Sequence, residues 1–126
     1  METYQTAQRT YARPQAPVRT PRSIEYELIA RTTQRLRAAW ANRKHNYSAL
    51  VVALDDNTRV WMTLAMDVAD PGNALPAQLR AQLFYLYEFT AAHSRRIREG
   101  DGSVEVLIDI NTAVMRGLRG DTGSGT

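Results

Sequence analysis

The sequence predicts an all-α fold, a small bundle of four to five helices with a short N-terminal helix on a Pro-rich connector, and three observations carry that expectation. Apolar residues recur at three- and four-residue steps through three long segments, the spacing of one face of a helix. A tight polar break, ADPGNALP at residues 69–76, separates two of those segments as the turn of a helical hairpin would. The one stretch that alternates like a strand, Val104 to Ile110, has no second strand in the chain to pair with, which would leave its backbone groups unsatisfied.

Residues 1–12 form a candidate short helix, because Tyr4, Ala7 and Tyr11 are spaced i, i+3, i+7 on one side. Residues 13–22 contain Pro14, Pro17 and Pro21 and read as an extended, polyproline-like connector. Pro14-Gln15-Ala16-Pro17 also fits the PxxP form of an SH3 ligand, although a spacer explains it more simply. The bundle domain is expected over 23–119. Its first helix opens near Ser23, capped by that residue or by Thr20-Pro21, and carries Ile24, Leu28, Ile29, Thr32, Leu36, Ala39 and Trp40 on one face.

After the polar interruption Asn42 to Asn46, a second stripe of Tyr47, Leu50, Val51, Leu54, Thr58, Trp61, Leu64, Ala65 and Val68 predicts a second helix. Asn57 lies almost on that stripe. Either its side chain is buried and bonded to a neighbouring helix end or loop, or it sits at the stripe's wet edge. In the break that follows, Pro71 presets its own φ, Gly72 and Asn73 tolerate positive φ, and Pro76 suits a first helical position that needs no amide partner.

The third helix carries Leu79, Leu83, Leu86, Phe89 or Thr90, His93 and Ile97, with Arg95, Arg96 and Arg98 at a C-terminus that attracts cations and Gly100 or Gly102 as its stop. Its middle, LFYLYEF, is apolar nearly all the way round. Phe84, Tyr85, Tyr87 and Phe89 cannot all point inward, so either both faces are covered within the chain or one presents aromatics to a partner. For the last element the helical stripe Val104, Leu107, Ile108, Asn111, Val114, Met115 and Leu118 outruns the strand pattern, with Ser103 as cap and Gly117 or Gly120 near the end. Residues 120–126, GDTGSGT, have nothing apolar to bury and are expected to be a disordered tail.

With 126 residues, 44% of them hydrophobic, one core is expected and no separate catalytic lobe. The absence of cysteine excludes disulfides, thiolate metal sites and thiol nucleophiles, and His45 and His93 alone make a poor zinc ligand set. Asp55 and Asp56 are adjacent and diverge by about 100° on a helix, a poor geometry for paired carboxylates. His93 reads as a packed or boundary residue rather than a base. No nucleophile triad, phosphate loop or metal signature is visible, so the chain is expected to be neither an enzyme nor a cofactor binder. No apolar run approaches the roughly 18 residues of a membrane span, and the start lacks a secretory signal, so a cytoplasmic location without membrane insertion is expected.

The formal charge of +3 is unevenly spread. Residues 1–44 hold nine Arg/Lys against three Glu, net +6, while residues 45–126 hold seven Arg against ten Asp/Glu, net −3. Such an N-terminal excess can neutralise phosphates, which makes mRNA contact one expectation and a solvated basic face the other.

The blocks TPRSIEYELIARTTQRL, NTRVW, ADPGNALPAQLRAQL and LIDINTAVMRGL together resemble FlaF, the flagellar biosynthesis regulator family of alphaproteobacteria. The likeness runs over nearly the whole chain. It is most specific at Asn57 followed by Trp61, at the turn Asp70-Pro71-x-Asn73-x-Leu75-Pro76-x-x-Leu79-Arg80, and at Leu107-Ile108-Asp109-Ile110-Asn111 leading to Gly117-Leu118. The prolines between Arg13 and Pro17, the LFYLYEF stretch and the Gly-rich tail depart from the family pattern.

This resemblance implies a small helical protein required for flagellin production and filament assembly. It also implies action opposite FlbT, a repressor of flagellin translation, with some members accompanying flagellin to export. The expected function is therefore that of a flagellin-binding, export-chaperone-like factor that promotes flagellin synthesis and secretion. The alternative is a post-transcriptional regulator acting on FlbT or on flagellin mRNA. A docking surface is expected around Trp61, Leu79, Leu83, Phe84, Tyr87 and Phe89, of which the first three also fit a core. Asn57, Asp70, Asn73, Arg80, Asp109 and Asn111 are expected as polar fasteners, with Pro71 and Pro76 shaping the turn.

Overall fold

A computed structural model of the chain describes residues 21–118, with side chains from 25 to 117. The expected helix at 1–12, most of the connector and the tail at 120–126 lie outside these residues. Helix α1 (Pro21–Ala41) opens two residues before the expected start at 23, with proline at its first position, where a missing amide proton costs nothing. It is followed by α2 (Tyr47–Ala69), α3 (Ala77–Arg98) and α4 (Glu105–Leu118), and the described residues contain no strand. The alternating pattern is thus helical from Glu105 onward, with Val104 in the turn just ahead of it.

Each helix boundary has a local cause. Asn46 caps α2 by accepting the Ala49 amide at 3.1 Å. α3 ends in a Schellman motif: the Asp101 amide donates to the Arg96 carbonyl at 2.8 Å and the Gly100 amide to Ile97 at 2.9 Å. Gly100 takes φ +90°, a conformation that costs an L-residue. The Arg96 guanidinium closes the same corner on the Asp101 carboxylate at 2.9 Å. Ser103 then caps α4 by accepting the Glu105 amide at 3.2 Å.

α2 packs between α1 and α3, and α4 lies along α1. The main core joins Leu36 and Ala39 near the end of α1, Leu50, Ala53 and Leu54 at the start of α2, Ile97 at the end of α3, and Val104 and Leu107 at the start of α4. Neighbouring helices are therefore antiparallel, and the best-packed layers lie at the end away from the α2–α3 turn. Tyr47, expected on the buried stripe, is 45% exposed, yet its hydroxyl reaches across this end to donate to the Arg98 carbonyl. His93 holds the α3–α4 loop from the other side, with Nε2 3.0 Å from the Ser103 carbonyl and its ring stacked on Phe89.

At the opposite end α3 is only lightly covered. Its fully buried residues are Thr90, Ser94 and Ile97, all in its second half. The first half, Ala77 to Phe89, buries no side chain completely. No helix among the described residues is long and apolar enough to cross a membrane.

Candidate protein-docking groove

The turn that positions the exposed half of α3 is held by side-chain hydrogen bonds, and its glycine, Gly72, does not take positive φ. The Asp70 carbonyl accepts the Asn73 amide at 2.9 Å, and the Asp70 carboxylate accepts the Gly72 amide at 2.9 Å. Asn73 works in both directions: Oδ1 accepts the Leu75 amide at 3.0 Å, while Nδ2 donates to the Asp67 carbonyl at 3.2 Å at the end of α2. These are the Asx turns for which Asp and Asn are favoured, and they remove any need for Gly72 to adopt positive φ. Pro76 is the N-cap of α3, not its first helical residue as expected; its carbonyl accepts the Arg80 amide at 3.0 Å. The Arg80 Nε donates to the Leu75 carbonyl at 3.0 Å, tying the first turn of α3 back to the loop. Asp70, Asn73 and Arg80 thus bond within one turn.

Asn57 and Asn111 form a different device, inside the bundle. Asn57 is completely buried and Asn111 is 1% exposed. The Trp61 indole Nε1–H donates to Asn111 Oδ1 at 2.8 Å, which turns the Asn111 amide nitrogen toward Asn57 Oδ1 at 2.8 Å and Thr33 Oγ1 at 3.1 Å. Thr33 in turn donates to the Ile29 carbonyl at 2.7 Å. One amide therefore joins α1, α2 and α4. The indole can only donate, so the orientation of both amides follows from it. The burial alternative for Asn57 holds, although its partner is a side chain in the middle of another helix and not a helix end or loop. Its own Nδ2 finds no acceptor among the described residues.

This network corrects two of the expected roles. Trp61 is 1% exposed and hydrogen-bonded in the core, so it is not available to a partner. Asp109 is exposed on the outer side of α4 and makes no side-chain hydrogen bond among the described residues, so it fastens nothing there.

Leu79, Leu83 and Leu86, at i, i+4 and i+7 on α3, line an open apolar cavity of about 300 Å³ whose far wall is Ala113, Val114 and Gly117 of α4. Leu79 is 40% exposed, and Leu83 and Leu86 are half-buried. The wall is low because α4 packs on α1 and carries Ala113 and Gly117 where larger residues would close the gap. Leu75, at the end of the Asn73-bonded turn, closes the groove at the hairpin end.

The aromatics do not form one surface with these leucines. Phe84, 37% exposed, borders a different hollow on the α2 side of the helix, shared with Val68 and Ala69, and Tyr87 packs edge-on against it at a centroid distance of 5.8 Å. Phe89 is taken up by its stack on His93. Tyr85, the most exposed of the four at 63%, was not among the expected docking residues. Of the six expected docking residues, the structure brings only Leu79 and Leu83 together in one groove. It adds Leu86 and Val114, which the helical stripes of α3 and α4 mark but do not pair, and Ala113 and Gly117, which lie on neither stripe.

Asp55 is bridged to Arg59 at 3.1 Å on the outer face of α2, and no group of three metal-ligating side chains occurs among the described residues. The family model described as FlaF, flagellar protein FlaF, matches residues 7–118. Neither the curated proteins nor the solved structures yield a match.

Proposed function

Because this chain belongs to the FlaF flagellar protein family, we propose that it is a flagellum-biogenesis factor that holds the amphipathic terminal segments of newly made flagellin in the groove between α3 and α4. The observation that supports this reading is the leucine row Leu79, Leu83 and Leu86 facing Ala113 and Gly117 across a gap that nothing else in the described residues fills. A row of that spacing receives the i, i+3, i+4, i+7 anchors of an incoming helix. Two or three large side chains buried there contribute roughly 1.5–3 kcal/mol each before the cost of association, which suits a partner that must later be released. The groove offers apolar walls and no convergent charged groups to orient a metabolite, so we read the protein as a non-catalytic, cytoplasmic binding module.

Calorimetry with purified flagellin tests the reading. Binding is expected at tens of micromolar or tighter, with Leu83→Asp weakening it more than tenfold. Met66→Asp, on the outer face of α2 where Met66 is 68% exposed, should leave binding unchanged. No detectable flagellin binding at tens of micromolar removes the proposal.

A second reading draws on Arg31, Arg35 and Arg37, all exposed on α1. These are suited to phosphate contacts on flagellin mRNA or to an acidic face of FlbT. Salt separates the two readings: an arginine-borne complex weakens steeply between about 50 and 200 mM salt, whereas leucine-borne binding hardly changes.

A further inference from the structure

We propose that residues 4–11 of this same chain occupy the α3–α4 groove when no partner is bound, so that the groove is self-covered at rest. The inference rests on the groove assigned above and deepens it by naming the occupant that a partner must displace.

Topology brings the segment to the right place. The register that pairs Thr33 with Asn111 runs antiparallel, so the first turns of α1 lie alongside the last turn of α4, where Val114 and Gly117 line the groove. Pro21, the first described residue, therefore lies at the hairpin end of the bundle, one helix width from the opening. Nine residues, 12–20, separate Tyr11 from α1. Nine residues span at most about 30 Å when fully stretched, ample to cross a helix about 10 Å wide.

Spacing fits the segment to the groove. Tyr4, Ala7 and Tyr11 are separated by three and then four residues. Read from its far end, the leucine row Leu86, Leu83 and Leu79 is separated by three and then four. A helix laid antiparallel to α3 thus sets Tyr4 beside Leu86, Ala7 beside Leu83 and Tyr11 beside Leu79. It brings Tyr11 out at the hairpin end, which is where the connection to α1 must start. The small residue falls opposite the middle of the row, between two rings. The family match begins at residue 7 and runs without a break into the four helices, so Ala7 and Tyr11 belong to the same family unit as the groove.

The chain has no cysteine, which makes paired-cysteine crosslinking of the full-length protein clean. In Ala7→Cys/Leu83→Cys, and in Tyr11→Cys/Leu79→Cys at the more exposed end, a short bis-maleimide should give a monomeric, internally crosslinked product. Its yield should not depend on protein concentration. Ala7→Cys/Val52→Cys serves as control, because Val52 is 58% exposed on α2 away from the groove. Equal crosslinking in control and test pairs, or no crosslinking in either test pair, overturns the proposal. So does a product that is only dimeric and rises with concentration, which would assign the groove to a neighbouring copy's segment.

Flagellin separates this inference from the function it builds on. Saturating flagellin should abolish the crosslink, and Tyr4→Asp/Tyr11→Asp should bind flagellin roughly tenfold more tightly, because a self-occupied site lowers apparent affinity by its open fraction. A crosslink that forms but persists under bound flagellin leaves self-coverage standing and moves flagellin elsewhere. A Leu83-dependent flagellin complex with no crosslink does the reverse.

Discussion

Replacing Asn111 by leucine probes the joint between three helices. The side chain is 1% exposed and forks at Cγ as leucine does, so leucine keeps its outline, loses its polar atoms and adds some bulk to a packed site. Two buried groups lose their partner: the Trp61 indole N–H, bonded at 2.8 Å, and Asn57 Oδ1, bonded at 2.8 Å. Thr33 loses a donor but keeps its own bond to the Ile29 carbonyl at 2.7 Å. At about 1–3 kcal/mol for each orphaned buried group, partly offset by a newly buried leucine, Asn111→Leu should cost about 2–4 kcal/mol. Asn57→Leu should cost less, because it orphans one N–H of Asn111 while removing the Asn57 Nδ2, which has no acceptor among the described residues. The double variant deletes both amides together and should be milder than the sum of the singles by about 1–3 kcal/mol. Urea unfolding followed by far-ultraviolet circular dichroism reads all three. An Asn111→Leu cost under about 0.5 kcal/mol, or strict additivity of the pair, refutes the reasoning.

Other expectations follow from local geometry. Asn73→Ala removes the acceptor of the Leu75 amide and the donor to Asp67, and should lower stability by about 1 kcal/mol in the same urea assay. Asn73→Asp keeps the acceptor but sets a carboxylate against Asp67, and should be no better than alanine, with part of the loss relieved by salt. Gly100→Ala meets no atom within 4 Å, so its cost of about 1–2 kcal/mol is purely that of φ +90° and should appear as a lower thermal midpoint. Trp61→Phe should destabilise the bundle without changing flagellin affinity at temperatures where it remains folded, measured by calorimetry beside Leu83→Asp; a selective loss of affinity would return Trp61 to the docking surface.

Periodicity and punctuation made most of the fold legible. The stripes of α2 and α4, the Ser103 cap and the Gly100 stop are local features, written within a few residues of where they act. Asn73 was legible as a turn residue, but its second role, reaching back to Asp67, depends on how α2 ends. What could not be read were pairings across long separations. Nothing near Asn57 announces a partner 54 residues away, and so nothing announced that Trp61 spends its polar edge inside the core. The same limit misplaced the aromatics of α3. Period alone puts Phe84 and Leu83 on adjoining faces, but only the position of α4, set by its packing on α1, decides that Leu83 borders a groove while Phe84 lies on the α2 side.

The indole of Trp61 has one more consequence. Shielded from water and bonded through its nitrogen, it emits from a water-free setting that disappears when the helices separate, while Trp40, half-covered with the Arg43 guanidinium 3.8 Å above its ring, stays closer to solvent. The molecule thus carries an optical gauge of its own integrity, free of any attached dye. A red shift in its fluorescence marks loss of the bundle, against which a genuine loss of affinity can be told from simple collapse.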